Sequence, residues 1–550
     1  DAYENSIPVT TAAVLILNSE VGAPTAQTPI NNTNTTDTTP TFIWLNGVDN
    51  DTEDPITYIL EVSSATDFSV INYTQINIAQ AYNTTNDTTS TLADGRYFWH
   101  VLANDGTVNS SWSTPTFTFT IDTIAPNITS VNLTNATGAV INMTQQVGHL
   151  QTLNITINAT DVGTGTASVL MTIWQAGVRV WESFLSLING LWRAAFDVNL
   201  TFQRFTTINY TINVTDAAGG MTNYYGNFSV SNTPPNQTAP FLNASSTYNY
   251  SADNLTAYNR TTYDIDMDAV YHIYDWRING TSIALVNMPF DINNSVNITT
   301  IKDYSTYANH AEYNGSDATK PYWNRTGGYN ALGAYQFDGI NDHLTIAGLS
   351  KLNTTTYWFN NGSGWYHYAN ASGTYYLNGT ITTAIPQAAY TDGINTYLGR
   401  YNITSYFNGS MDNVQFYNRT LGPDQIAAMY NAGAGNYNII VNNETKKHES
   451  WQAVLNPYDP YEEGTTFFTS NLTIMNYPPG TPVLTTTNNT NTSDNTPTLA
   501  WADTNDNDTD TLTYILEISQ NTGFSIINYT NASVAETSNT TNATANALAD

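Results

Sequence analysis

The 550-residue chain contains no cysteine. That excludes a disulfide framework, a thiolate metal site and a cysteine nucleophile, and in a large extracellular protein it favours a microbial over an animal source. Basic residues are scarce as well, with Lys and Arg together at 14 against 45 Asp and Glu. The net charge of -31 therefore reflects missing cations, because charged residues make up only 11% of the chain, against about 25% in an ordinary domain. Nucleic acids and anionic membrane surfaces require clustered basic charge, so neither is an expected partner. No run of about 20 apolar residues and no signal segment is found, so export and anchoring are expected to lie outside these residues. The seven His, at positions 100, 149, 272, 310, 343, 367 and 448, are scattered. No H-E-x-x-H, G-x-S-x-G, P-loop or dinucleotide fingerprint appears, and Glu312 stands alone where a glycosidase would need paired carboxylates. No enzymatic activity is expected.

Other residues are abundant. Apolar residues reach 41% and aromatics 12%, with 37 Tyr, which is too apolar for a disordered chain. At about 100 to 200 residues per domain the length points to several domains. About 71 Asn, 88 Thr and 34 Ser are present, and about 43 Asn open an N-x-S/T sequon, where random placement would give about 16. Candidate glycosylation sites run the whole length: Asn34, Asn72, Asn83, Asn127, Asn154, Asn213, Asn236, Asn279, Asn324, Asn378, Asn418, Asn471 and Asn528. The excess implies an exported N-glycoprotein. The competing explanation is that Asn suits turns and Thr suits strands.

The chain also repeats itself. "TPTFIWLNGVDNDTEDPITYILEVSSATDFSVINYT" at 39 to 74 recurs as "TPTLAWADTNDNDTDTLTYILEISQNTGFSIINYT" at 496 to 530, pairing Trp44 with Trp501, Tyr58 with Tyr514, Glu61 with Glu517 and Phe68 with Phe524. The match extends backwards, pairing Asp1 with Asp459, Tyr3 with Tyr461, Glu4 with Glu462 and Asn18 with Asn476. The offset of about 456 to 458 residues implies one full period and the opening of the next. The expectation is a stretch of a longer tandem chain, or an assembly in which neighbouring copies supply missing strands.

Short alternating runs such as "TYILEV", "RYFWHVLA" and "TFTFTI", separated by Asn, Asp and Gly turns, predict antiparallel β-sandwiches. The strings "TPTFIW", "YILEVS" and "GRYFWHVLANDG" resemble fibronectin type III and related Ig-like modules of microbial surface proteins. The "A/VTD" strings followed by Gly resemble bacterial Ig-like modules. "KDYSTYANHAEYNG", "GAYQFDGINDHLTI", "GWYHYANASGTYYLNGT" and "GSMDNVQFYNRTLGPDQIAAMYN" resemble a laminin-G-like, concanavalin-type jelly roll. In it the stretch "LNTTTYWFNNGS" is shorter than the family's strand-turn-strand, which predicts a jelly roll trimmed on one edge. "PDQIAAMY" predicts the one helix, with Pro423 at its first position and Ile426, Ala427 and Tyr430 on one face. "VYHIYDWRINGTSIALVNMPF" predicts two strands around a turn at Asn279 and Gly280.

The expected fold class is all-β: tandem Ig-like or fibronectin III-like sandwiches with an inserted laminin-G-like jelly roll. The expected divisions are 1–22, the end of a preceding Ig-like domain; 23–123, a fibronectin III or Ig-like sandwich; 124–233, an Ig-like sandwich; 237–290 with 435–478, a split Ig-like sandwich; 291–434, the inserted jelly roll; and 479–550, a truncated copy of 23–123.

Acidic clusters are the candidate metal sites. Asp264, Asp266 and Asp268 in "DIDMD" fall on alternate positions, where three carboxylates repel unless a cation sits between them. Asp49, Asp51 and Asp54, and in the copy Asp503, Asp506, Asp508 and Asp510, form loops of the same kind. Such loops suit Ca²⁺, which takes oxygen ligands; a solvated Asp-rich turn is the alternative. The laminin-G resemblance adds Asp338 and Asp342, which match positions near that family's calcium region. Together these features lead to the expectation of a structural, heavily N-glycosylated surface protein, archaeal by composition, forming a rod or filament with copies or tandem repeats of itself. The alternatives are an S-layer subunit, or an adhesin whose jelly roll captures extracellular carbohydrate. In the adhesin, Trp323, Trp358, Trp365 and Tyr366 would line an open groove.

Overall fold

The computed structural model describes residues 17–51, 53–293, 295–297, 299–313, 320–349, 351–383, 388–487, 492–506, 508, 510–537 and 540–548. Asp1, Tyr3 and Glu4, paired above with the second copy, lie outside them. The chain is nearly all β, with one α-helix among the described residues. It forms two compact units, 1–231 and 232–550.

The first unit holds two sandwiches. In one, a three-stranded sheet (Thr25–Thr28, Thr41–Leu45, Thr84–Thr88) faces a five-stranded sheet (Thr33–Thr35, Phe117–Ile121, Gly95–Asn104, Thr57–Ser63, Ile71–Ala79). Phe42, Trp44, Tyr58, Leu60, Trp99 and Phe119 fill its core. In the other, two four-stranded sheets enclose Leu153, Ile155, Met171, Trp192, Ile212 and Phe228. The strand Thr207–Asp216 shows why this sequence forms such sheets. Ile208, Tyr210, Ile212 and Val214 point inward, while Thr207, Asn209, Thr211, Asn213 and Thr215 point outward. The spacing of a sequon equals the strand period, so the Asn and its hydroxyl share the outward face.

In the second unit, Tyr271–Ile278 pairs antiparallel with Ser450–Tyr458, from Tyr271↔Tyr458 to Ile278↔Trp451. The chain leaves this sheet at the predicted Asn279–Gly280 turn, where both residues have positive φ, 49° and 83°. The predicted second hairpin strand is only partly formed. Thr281–Ser282 runs back along its partner, then Ala284–Met288 crosses to pair with Asn408–Tyr417. That strand buries residues on both faces, and it lies beside Asn408–Tyr417 beyond the end of Ala334–Asp338. The inserted sandwich thus takes in strand residues before position 291.

Two sheets build that insertion. The larger runs Tyr322–Asn324, Ala334–Asp338, Asn408–Tyr417, Thr354–Asn360, Trp365–Ala371, Thr374–Leu377, Thr380–Thr382, with Ala284–Met288 beside it. The smaller has six strands, and Phe337, Leu344, Ile346, Tyr357, Leu398 and Met411 pack between the two. The shortened stretch "LNTTTYWFNNGS" does not trim an edge. Its strand Thr354–Asn360 lies inside the larger sheet, hydrogen-bonded on both sides.

The helix Pro423–Ala432 forms with Pro423 at its start, but its buried residues are Gln425, Ile426 and Met429, and Ala427 and Tyr430 are half-buried. Gln425 turns inward because its amide bridges backbone, donating to the Ile439 carbonyl at 3.1 Å and accepting from the Val441 N–H at 2.9 Å. The second repeat copy reproduces the first in detail. Trp501 meets Tyr514 edge-on at 5.3 Å as Trp44 meets Tyr58 at 5.3 Å, and Phe524 and Phe68 both have positive φ.

Candidate functional site

Three Asp-rich loops are built alike. Each precedes a core strand of its sandwich, and in each the first carboxylate accepts the N–H two residues on. Asp49 takes the Asp51 N–H at 2.8 Å, Asp264 that of Asp266 at 2.7 Å, and Asp506 that of Asp508 at 2.6 Å. This is an Asx turn, which curls the backbone and brings alternate carboxylates together. The middle Asp of each loop then accepts an N–H from the segment that enters the same sandwich: Ser19 to Asp51 at 2.5 Å, Thr233 to Asp266 at 2.6 Å, Tyr477 to Asp508 at 2.5 Å. An Asn precedes each donor, namely Asn18, Asn232 and Asn476. Sequence reading missed this shared N-[STY] signal.

One carboxylate oxygen from each of Asp264, Asp266 and Asp268 lies within 4.8 Å of the others, and the same holds for Asp506, Asp508 and Asp510. Around the first of these loops Asp459 and Glu462 gather as well, both accepting from the Asn232 amide at 2.7 and 2.9 Å. Burial pushes the Asp264 carboxyl up, and the charges of Asp459 and Asp266 add to the shift. In the copy, Lys447 pairs with Asp510, and both Asp503 oxygens are buried without a hydrogen-bond partner. Asp54 is held through its backbone, its N–H donating to the Asp51 carbonyl at 3.2 Å. Hard oxygen donors at this spacing fit a calcium ion, whose ligands stand about 2.3 to 2.6 Å away.

Asp338 and Asp342 behave differently. Asp338 accepts the N–H groups of Ile340, Asn341 and Asp342 at 2.8 to 3.2 Å, and Asp342 accepts that of Asp338 at 3.0 Å. The two carboxylates close a turn, and among the described residues no third acidic group or His joins them. A further acidic group, Asp122 with Asp161 and Asp216, escaped sequence reading because its members lie on three separate segments.

The four aromatics named for a sugar groove do not share one surface. Trp358 is only 1% exposed, its indole N–H donates to the Tyr437 hydroxyl at 3.2 Å, and Tyr430 stacks on it at 5.8 Å. Strand alternation turns Trp358 away from the side where Tyr357 and Phe359 point. Trp323 packs against the core and donates to the Phe290 carbonyl at 2.8 Å. Trp365 is half-buried. Of the four, Tyr366 alone lines an open cavity of about 390 Å³, together with Tyr357, Phe359, Ser363, Tyr401 and Phe407.

The sequons divide cleanly by exposure. Asn34, Asn72, Asn83, Asn127, Asn279, Asn418, Asn471 and Asn528 are exposed, and Asn154, Asn213, Asn236, Asn324 and Asn378 are half-buried. Among the described residues the buried asparagines, Asn232, Asn287, Asn413 and Asn456, open no sequon. Asn72, Asn378 and Asn528 use their amide oxygen to accept a backbone N–H at 2.7, 2.9 and 3.0 Å, which leaves the amide nitrogen, the atom a glycan would occupy, pointing the other way. Among the described residues no helix is long and apolar enough to cross a membrane.

No protein-family model matches the sequence, and no curated protein matches it. Solved structures align with it weakly. A bacterial ice-binding adhesin of 1.5 MDa, studied for its retention on the host cell surface, aligns over 48% of this chain and 85% of its own, at 14% identity and a TM-score of 0.22. A tetra-tandem repeat from the extending region of a large adhesion protein aligns over 82% and 99%, at 12% identity and 0.20. A marsupial T cell receptor aligns over 66% and 100%, at 10% identity and 0.27. At these scores no function is carried across.

Proposed function

We propose that the chain is part of an exported, N-glycosylated structural protein of a microbial cell surface, archaeal by its cysteine-free and sequon-dense composition. Its β-sandwiches would repeat along a rod or filament, joined to copies or tandem repeats of the same sequence. The observation that carries this reading is the placement of the sequons: every sequon Asn whose burial is described is exposed or half-buried. Glycans there would cover the outward strand faces, shielding edges from pairing with other chains. The Pro-containing stretch "DTIAPN" would limit the play between the two sandwiches of the first unit. Glycopeptide mass mapping of native material tests this. Hexose-bearing mass on many sequon Asn, with none on Asn232, Asn287, Asn413 or Asn456, is the expected result; bare peptide at every sequon would end it.

In the same reading, the loops at Asp49–Asp51, Asp264–Asp268 and Asp506–Asp510 hold calcium, tying each entering segment to its sandwich. Calcium added to chelated protein should raise the melting temperature by several degrees, and Asp266→Asn should remove part of that rise. A transition indifferent to calcium and EGTA would remove these sites. The cavity at Tyr366 favours a second reading, in which the laminin-G-like insertion binds an extracellular carbohydrate on aromatic faces. Glycan-array binding lost in Tyr366→Ala would support it.

A further inference from the structure

Asp122 directly follows the strand Phe117–Ile121, the last of the first sandwich. Asp161 follows Thr152–Thr160 and Asp216 ends Thr207–Asp216, both in the second sandwich. One carboxylate oxygen of each lies within 4.8 Å of one from each of the others. Oxygens held about 2.3 to 2.6 Å from a common centre can stand no more than about 5 Å apart, so the spacing of these three is compatible with one shared ion. Asp122 and Asp216 are 1% and 3% exposed, and among the described residues no Lys, Arg or His pairs with any of the three.

A second observation concerns oxygens left bare. Asp216 Oδ1 accepts the Ala218 and Gly220 N–H groups at 2.8 and 2.9 Å, yet its Oδ2 is buried with no hydrogen-bond partner. Asp161 Oδ2 accepts from Gly163 and Gly165 at 3.0 and 2.7 Å, and its Oδ1 is likewise buried and unpartnered. Burial alone would raise the Asp122 carboxyl, but hydrogen bonds from the Thr164 N–H and hydroxyl, at 2.6 and 2.8 Å, and from the Ile124 N–H at 3.2 Å together outweigh it and hold the group below the usual carboxylate range. The approach is close enough to require glycine: a β-carbon at Gly163 would sit 2.2 Å from Asp122 Oδ2, and one at Gly220 2.4 Å from Asp216 Oδ2. Buried anionic oxygens without donors are unfavourable, and a cation removes that penalty.

We propose that Asp122, Asp161 and Asp216 hold a calcium ion that clamps the linker 122–126 to the second sandwich. The donors are all hard oxygens, which suits calcium over zinc or copper. Backbone carbonyls and water complete its shell. The linker is already tied by Thr164 to Asp122 and by the Thr222 hydroxyl donating to the Pro126 carbonyl at 2.5 Å; the ion adds a tie that also engages Asp161 and Asp216. Without it, three like charges push the joint open. The clamp does not depend on whether any sequon is glycosylated.

The test uses the full chain, chelated and then reloaded with calcium chloride. Native mass spectrometry counts bound ions, and limited proteolysis reads cleavage within 122–126. The Asp161→Asn, Asp216→Asn double variant should bind one ion fewer than wild type. Calcium should slow linker cleavage about tenfold or more in wild type and not in the variant. The variant's calcium-free melting temperature should equal or exceed that of wild type, because two repelling carboxylates are gone. Asp161→Asn alone, at the half-buried position, repeats the measurement should the double variant fold poorly. An unchanged ion count, or calcium protection retained in the variants, overturns the proposal.

Discussion

Trp451→Ala should destabilise the split sandwich of the second unit by about 3 to 5 kcal/mol, the usual cost of truncating a large buried aromatic. Trp451 is 0% exposed and meets Trp276 edge-on at 6.3 Å. Leu255, Leu455, Leu472 and Ile474 pack in the same core. Its strand closes the sheet across the insertion, since the chain leaves after Ile278 and returns at Ser450. The substitution leaves a cavity and loosens the longest pairing between the two halves, which the shorter pairing of Leu255–Tyr258 with Ile439–Ile440 supplements. Hydrogen exchange should show it most sharply, with amides of Tyr271–Ile278 losing protection. The inserted sandwich has its own core around Phe337, Tyr357 and Met411, so its amides should stay protected. Equal loss in both regions would mean that the insertion is not an independent cooperative unit. Leu187→Ala, at a residue 58% exposed in the first unit, should change stability by less than about 0.5 kcal/mol.

The second large effect is on pH dependence. Asp291 and Asp412 are both buried in the inserted sandwich. Asp291 accepts from the Tyr458 hydroxyl at 2.7 Å and the Asn330 amide at 2.8 Å. Asp412 accepts the Tyr329 N–H at 3.0 Å on one oxygen, and the other is buried without a partner. Burial pushes the Asp291 carboxyl up to about 7. Burial and the Asp291 charge together push Asp412 well above the ordinary value. A carboxyl whose folded pKa is raised binds its proton more tightly in the folded state. The stability is fully present below the unfolded value of about 4 and drains away as pH climbs to about 7. For Asp291 alone the swing is on the order of 4 kcal/mol. In EDTA, the melting temperature of this sandwich should therefore fall from pH 4 to pH 8. Asp412→Asn keeps an acceptor for Tyr329 and removes one charge, so its profile should be distinctly flatter. Equal slopes in the two proteins would contradict the assignment.

Local features were legible in the sequence and long-range ones were not. Alternation in "TINYTINVTD" specifies a half-buried strand by itself, and Pro423 with the run after it specifies the helix, because both signals lie within a few residues. The repeat identified Trp44 and Trp501 as equivalent, and their contacts with Tyr58 and Tyr514 match. The pairing of Tyr271–Ile278 with Ser450–Tyr458 could not be read, since register between runs buried on both faces leaves no alternation to align. Nor could the departure of Ala284–Met288 to another sheet. Trp358 was placed on a groove because aromatics were read by type, whereas the side of the strand decides which rings meet solvent. Of the acidic sites, those within one loop were visible. The Asp122, Asp161 and Asp216 group was not, because the fold alone brings these residues together.

Electron micrographs of native cells, or of material shed from them, decide whether this chain belongs to a repeating surface structure. Extended surface structures built from a repeating unit, labelled along their length by an antibody raised against these residues, are the expected result. Isolated compact particles, or labelling confined to the cell interior, would contradict it.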